Sequence, residues 1–239
     1  MTIERKHFRV WYIGTHGTGK SGEAHALATA SFIRGVGQVH VIQEYAREVA
    51  RGRLNEKTTL DVQQRILLGH FVAEQDLAED YHVISDRAVC NKMYADNKFA
   101  GQKDYATQLR FLDNVCDQWM LCSPPDVAFV TKMFTTVDSL VPDPDRSSDV
   151  EFQKSIQERL IRYLHQKSDA GMIQFPLIYL PTEFPKAWPS LCEALCYGDI
   201  QLYRPLNMFN GQEGKLEQWI AEEKRKHPEP FLAKYLPKK

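Results

Sequence analysis

Apolar positions along the chain fall into two alternating patterns. Short dense runs at Phe8–Ile13, Gln38–Gln43, Tyr81–Ser85, Asp126–Thr131 and Met172–Leu180 have the length of strands buried in a sheet. Longer stretches between them space their apolar residues as helices do. Thr59–Tyr81 places Leu60, Ile66, Leu67, Val72 and Leu77 at near-helical intervals, and Asp104–Leu121 gathers Leu109, Leu112, Val115 and Trp119 on one face before Ser123-Pro124-Pro125 stops it. Glu23–Arg34, Trp188–Cys196 and Gly214–Lys226 read as further helices. Another runs to about Gln166, opened by Ser148 and Glu151 at the spacing of a capping box. Strands alternating with helices predict an α/β fold: a parallel sheet covered on both faces, with right-handed crossovers. Residues 1–196 read as one domain, and residues 197–239 as a helical, basic extension packed on it.

The first strand runs into Gly14-Thr15-His16-Gly17-Thr18-Gly19-Lys20-Ser21, a complete GxxxxGK[ST] sequence followed by a helix. Glycines let the backbone curl so that successive N–H groups face phosphate oxygens, and the following helix N-terminus adds positive potential. Lys20 is placed to reach the β- and γ-phosphates, and the Ser21 hydroxyl to ligate Mg²⁺. ATP with Mg²⁺ is the expected cofactor pair.

Ligands of open α/β sheets sit beyond the carboxyl ends of the strands, so charged residues there are candidates for chemistry. The second strand ends in Gln43-Glu44-Tyr45-Ala46-Arg47, and the third in Ser85-Asp86-Arg87. Asp86 suits a carboxylate that orients Mg²⁺ directly or through water; Glu44 suits a base for the acceptor hydroxyl. Helix capping and surface ion pairing are the competing readings for both. Arg47 and Arg87 have the forked guanidinium that clamps phosphate or acceptor oxygens, or they form surface salt bridges. Arg146, within Val141–Asp149, is placed to swing over the γ-phosphate as part of a lid; a solvated turn is the alternative. Asn91–Lys98 reads as helix surface, from which Tyr94 could line an acceptor pocket. The loop Leu180–Phe184 could hold a base.

The remaining composition narrows the field. The 239 residues are 43% hydrophobic, enough for a full core, and the formal charge of −1 supplies no global field for nucleic acid. Five cysteines without a CxxC pair read as reduced core thiols, in keeping with a cytoplasmic setting. No apolar run reaches membrane-spanning length, so no membrane partner is expected. Asn97-Lys98-Phe99-Ala100 lacks the aspartate of a guanine-reading NKxD element.

GTHGTGKS, VIQEYAREVA, VISDRAVCNKMYA and VPDPDRSSDVEFQ, taken in order, resemble the ribosylnicotinamide-kinase-like branch of P-loop kinases, the NadR-type domain, over roughly residues 8–185. The resemblance implies a nucleoside-kinase-like three-layer α/β/α sandwich with strand order 2-3-1-4-5. It implies Lys20 and Ser21 at the nucleotide, Asp86 near Mg²⁺, Glu44 and Arg47 near a nucleoside-like acceptor, and Arg146 in the lid. The chain is also similar in size and layout to compact bacteriophage kinases acting on hydroxymethyluracil within DNA. There the acceptor base must leave the stack, and Lys224-Arg225-Lys226-His227 with Lys234, Lys238 and Lys239 could meet phosphates, a solvated basic end being the alternative. Three functions therefore stay open: a kinase of free nucleosides or ribosides, a kinase of a modified base in DNA, and a nucleotide-binding regulatory NTPase.

Overall fold

The computed structural model describes residues 5–43, 58–131, 149–183, 185–202 and 213–237. In chain order the elements are β1 (Arg9–Ile13), α1 (Lys20–Ile33), β2 (Val39–Ile42), α2 (Leu60–Asp80), β3 (His82–Asp86), α3 (Asn91–Phe99), α4 (Ala106–Cys122), β4 (Val127–Val130), α5 (Val150–Asp169), β5 (Leu177–Tyr179), α6 (Trp188–Tyr197) and α7 (Glu213–Lys226). The five strands form one sheet in the order β2-β3-β1-β4-β5, and every pairing is parallel. This is the expected fold and strand order.

Alternation along β1 divides the core. Val10 and Tyr12 point into a cluster with Ile84, Phe129 and Ile178, closed by Leu27 of α1 and by Leu191, Cys192 and Leu195 of α6. Leu216 of α7 and Leu232 are buried in the same cluster. Trp11 and Ile13 point the other way, into a cluster with Leu67, Met93, Leu112, Trp119, Ile156 and Leu160, drawn from α2 to α5. β1 is central in the sheet and apolar on both faces, and burial of this kind contributes roughly 25 cal/mol per Å² of apolar surface.

Three boundaries differ from the periodicity for local reasons. β5 spans Leu177–Tyr179 rather than Met172–Leu180. Pro176 has no N–H for the ladder and contributes only its carbonyl, which accepts from Ala128 N. Helix α5 is capped by Asp149, whose carboxylate accepts from the N–H groups of Glu151 and Phe152; Ser148 lies outside the described residues. Helix α1 begins at Lys20, because Gly19 turns the chain there at φ 80°.

Candidate functional site

The residues Gly14–Ser21 form a loop between β1 and α1, at the carboxyl edge of the sheet. Gly14 cannot be replaced without rearrangement. A Cβ there would stand 2.1 Å from Thr131 Oγ1 and 2.9 Å from Thr131 O, at the end of β4. Gly17 and Gly19 take φ of 74° and 80°, where a side chain is strained. The Thr18 hydroxyl donates to Thr15 O at 3.0 Å and meets the Thr131 hydroxyl at 2.7 Å. The Lys20 ammonium lies inside this curl, donating to Thr15 O at 2.6 Å and to Thr18 Oγ1 at 3.3 Å, and is only 4% exposed. A buried ammonium held by neutral oxygens of a loop is the arrangement from which a polyphosphate would draw it.

Ser21, on the first turn of α1, donates its hydroxyl to Asp86 Oδ2. Asp86 is 2% exposed, and its second oxygen, Oδ1, is buried without a hydrogen-bond partner among the described residues. Leaving a carboxylate oxygen unsatisfied is costly. A Mg²⁺ held by the Ser21 hydroxyl and Asp86, and otherwise by water and phosphate oxygens, would remove that cost; Mg²⁺ is commonly bound by so few protein ligands. Among the described residues no group of three or more His, Cys, Asp or Glu converges as a metal site, so an all-protein cage is not what these residues build.

The next residue leaves ordinary backbone space. Arg87 has φ 96° and Ala88 φ 42°. Such positions cost about 1–3 kcal/mol each and persist where neighbours enforce them. Here the Arg87 N–H is tied to Tyr12 O at 2.8 Å, across the end of β1. The kink brings the chain into α3, and the Arg87 guanidinium lies 5.4 Å from the centre of the Tyr94 ring, a cation–π contact.

Tyr94 joins α3 to the loop. Its hydroxyl accepts from His16 N–H at 3.0 Å and lies 3.0 Å from His16 Nδ1. Burial raises the Tyr94 pKa, so the hydroxyl stays protonated. With the ring proton on Nε2, it then donates to Nδ1. Phe152 of α5 completes an aromatic group with ring centres 6.1 Å from His16 and 6.2 Å from Tyr94.

Several side chains at the loop have no counterpart in the sequence reading. Gln157 of α5 accepts from Thr15 N–H at 3.3 Å and donates to Thr131 O at 3.2 Å, bracing the loop against the end of β4. Cys90 Sγ donates to Gly14 O at 3.4 Å. Behind β3, Glu74 of α2 is fully buried and accepts from Trp11 Nε1 and Trp119 Nε1, both at 2.9 Å, and from the Ser85 hydroxyl. Its pKa is raised by burial. Ser85 precedes Asp86, so this knot fixes the strand that carries the carboxylate. A usable signal was present for Gln157: it interrupts the apolar stripe Ile156, Leu160, Tyr163, Leu164 at a buried helix position.

The structure thus brings Gly14–Ser21, Asp86, Arg87 and Tyr94 to one edge. Glu44, Arg47 and Arg146 lie outside the described residues. Asn91–Lys98 is not plain helix surface: Asn91, Lys92, Met93 and Ala95 are buried between neighbouring elements. Lys224 and Lys226 of the basic end are engaged internally, Lys224 with Gly198 O at 2.6 Å and Lys226 with Glu222 and Glu223.

A family model described as an AAA domain matches residues 9–182, from β1 through the loop after β5. The chain belongs to that family. The matched region spans the glycine-rich loop Gly14–Ser21 described above. No match to a curated protein was found. Among solved structures, the chain is similar to NadR protein in complex with NR (17% identity, TM-score 0.54, covering 74% of this chain and 44% of that one). It is similar to NadR with NAD and AMP-PNP (16%, TM-score 0.57, 84% and 52%), and to deoxyadenosine kinase from M. mycoides with bound dCTP (15%, TM-score 0.50, 74% and 91%). The chain spans about half the length of the NadR structures it matches. At these identities the likeness is one of fold: a kinase-like P-loop domain. No helix among the described residues is long and apolar enough to cross a membrane. All five cysteines are free, and only Cys122 is exposed.

Proposed function

We propose that this chain is a Mg²⁺- and ATP-dependent kinase that passes the γ-phosphoryl group to a hydroxyl of a nucleoside-like acceptor. The observation that carries the reading is the Ser21–Asp86 pair at the mouth of the phosphate loop, with one carboxylate oxygen buried and unpartnered. Bound Mg²⁺ would supply neutralisation of charge on the β- and γ-phosphates. The chain's own part is positioning. Loop N–H groups and Lys20 hold the polyphosphate, while Ser21 and Asp86 hold the metal. Arg87 and Tyr94, which meet each other beside the loop, are assigned to the acceptor. Glu44, Arg47 and Arg146 are assigned from their sequence positions: Glu44 takes the acceptor proton, Arg47 binds the acceptor, and Arg146 covers the γ-phosphate. In the transfer the acceptor oxygen bonds to the γ-phosphorus as the bond to the β,γ-bridging oxygen breaks, and ADP leaves.

A free nucleoside or riboside is favoured over a base in DNA. The net charge is −1, Lys224 at the end of α7 donates to Gly198 O, and Lys226 pairs with Glu222 and Glu223 of its own helix. The test is incubation with γ-labelled ATP and a panel of ribosides, deoxynucleosides and hydroxymethylated DNA. Label should move to a free nucleoside or riboside, and Lys20→Ala should lower the rate at least about a hundredfold. Label released only as inorganic phosphate would refute the kinase reading in favour of a regulatory NTPase. Label on DNA alone would move the acceptor into the polymer.

A further inference from the structure

A cavity of about 350 Å³ lies between α3, α4 and α5, away from the phosphate loop. Lys92 and Asp96 of α3 line it, with Asp113 of α4 and Arg159, Arg162 and Lys167 of α5. On α3 these residues fall on the opposite face from Tyr94, at the 100° step of a helix.

The charges are unevenly satisfied. Lys92 pairs with Asp96 and, at 3.6 Å, with Asp113. Lys167 pairs with Asp113 at 3.4 Å and with Asp117 at 2.5 Å. Both ammoniums also stand 5.3 Å from the centre of the Tyr163 ring, which is 7% exposed and forms a rigid wall. The carboxylates are thereby used by the lysines. Arg159 spends only its Nε, on Asn97 Oδ1 at 2.9 Å, and Arg162 has no ion pair among the described residues. Three residues apart on one helix, the two guanidiniums share a face. Met93 and Met172 add an apolar lining.

We infer that this cavity is a second ligand site, taking a small organic or inorganic polyanion whose phosphate or carboxylate oxygens are gripped by Arg159 and Arg162. A volume of this size is at the small end of ligand pockets and suits a compact multivalent anion. Guanidinium forks bind such oxygens in pairs. The walls, α3 and α5, are the helices that touch the phosphate loop through Tyr94 and Gln157. They are joined to each other at Asn97, which accepts from Ser155 Oγ and Arg159 Nε. A ligand here would sit against that joint. The site does not depend on the kinase reading.

The test uses the Lys20→Ala protein, in which the phosphate loop no longer competes, titrated calorimetrically with inorganic pyrophosphate and, separately, with citrate. One of the two should bind with unit stoichiometry, and the probe that binds identifies phosphate or carboxylate as the recognised group. Adding Arg159→Gln or Arg162→Gln should weaken binding tenfold or more. Should Arg159→Gln disturb folding through its loss of Asn97, Arg162→Gln, at an exposed position, decides alone. Absence of binding by both probes, or affinity unchanged by Arg162→Gln, overturns the inference.

Discussion

The two faces of the sheet are built on different principles. On the α1/α6 face the apolar core, from Val10 and Phe129 to Leu191 and Leu195, is bordered by buried polar pairs, Arg34 with Glu193 and Tyr197 with Ser31. On the face covered by α2 to α5, Trp11 and Trp119 share their interior with a buried carboxylate, a serine and a histidine. Among the described residues, Tyr94 and Gln157, which reach the phosphate loop from neighbouring helices, both come from this second face. One layer therefore supports the sheet, and the other supports the sheet and shapes the site. An apolar core tolerates volume-conserving change because its contacts are non-directional. A buried polar knot fixes direction and does so at the risk of leaving donors unpaired.

Glu74→Ala should break this contrast most severely. It strips two indole N–H groups and the Ser85 hydroxyl of their acceptor and opens a cavity, so urea denaturation should show a loss of about 4 kcal/mol. Because Ser85 precedes Asp86, nucleotide binding should weaken too. Leu191→Ala, in the apolar part of the α1/α6 face, should cost about 3 kcal/mol and leave nucleotide affinity within about twofold, since among the described residues it lies in the cluster with Val10 and Phe129 and not at the loop. Equal loss of affinity in the two variants would erase the distinction between the faces.

His70 of α2 sharpens it further. The ring is fully buried against Trp119, neither nitrogen has a hydrogen-bond partner among the described residues, and burial lowers its pKa from 6.5 to about 4. Between those values the unfolded chain takes up a proton that the folded chain refuses, so stability falls as pH drops through this window. From pH 7 to pH 4 that contribution is about 3 kcal/mol. His70→Leu should flatten the profile by roughly that amount; profiles that coincide would show that His70 does not stay neutral in the folded protein.

What the sequence disclosed follows the same division. Strand existence and the glycine-rich loop between β1 and α1 were legible because periodicity and glycine spacing are local, whereas the sheet order came from the family resemblance. The position of Asp86 beside Ser21 was legible because a strand end announces itself. Glu74 and His70 were not, because the groups they meet, among them Ser85, Trp11 and Trp119, are 11 to 63 residues distant in the chain and each reads locally as an ordinary polar helix residue; Gln157 was signalled only by its interruption of an apolar stripe. The strained turn at Arg87 and Ala88 was equally hidden, since neither residue type advertises a positive φ. The cap of α5 was misplaced by one residue because Ser148 and Asp149 are both good caps.

Tyr94→Phe has the smallest expected effect and asks the narrowest question. It keeps the ring that faces Arg87 and Phe152, and removes only the hydroxyl that meets His16 N–H and Nδ1. If that hydroxyl holds the loop ready for phosphate, its loss should cost about 1 kcal/mol of nucleotide affinity, roughly a fivefold rise in Kd for MgATP, with little change in unfolding free energy. The reverse outcome, a stability loss with Kd unchanged, would make Tyr94 a packing residue. The loop would then rest on Gln157, Thr131, Cys90 and Asp86 for its outside contacts among the described residues, and α3 would drop out of the half of the molecule that shapes the site.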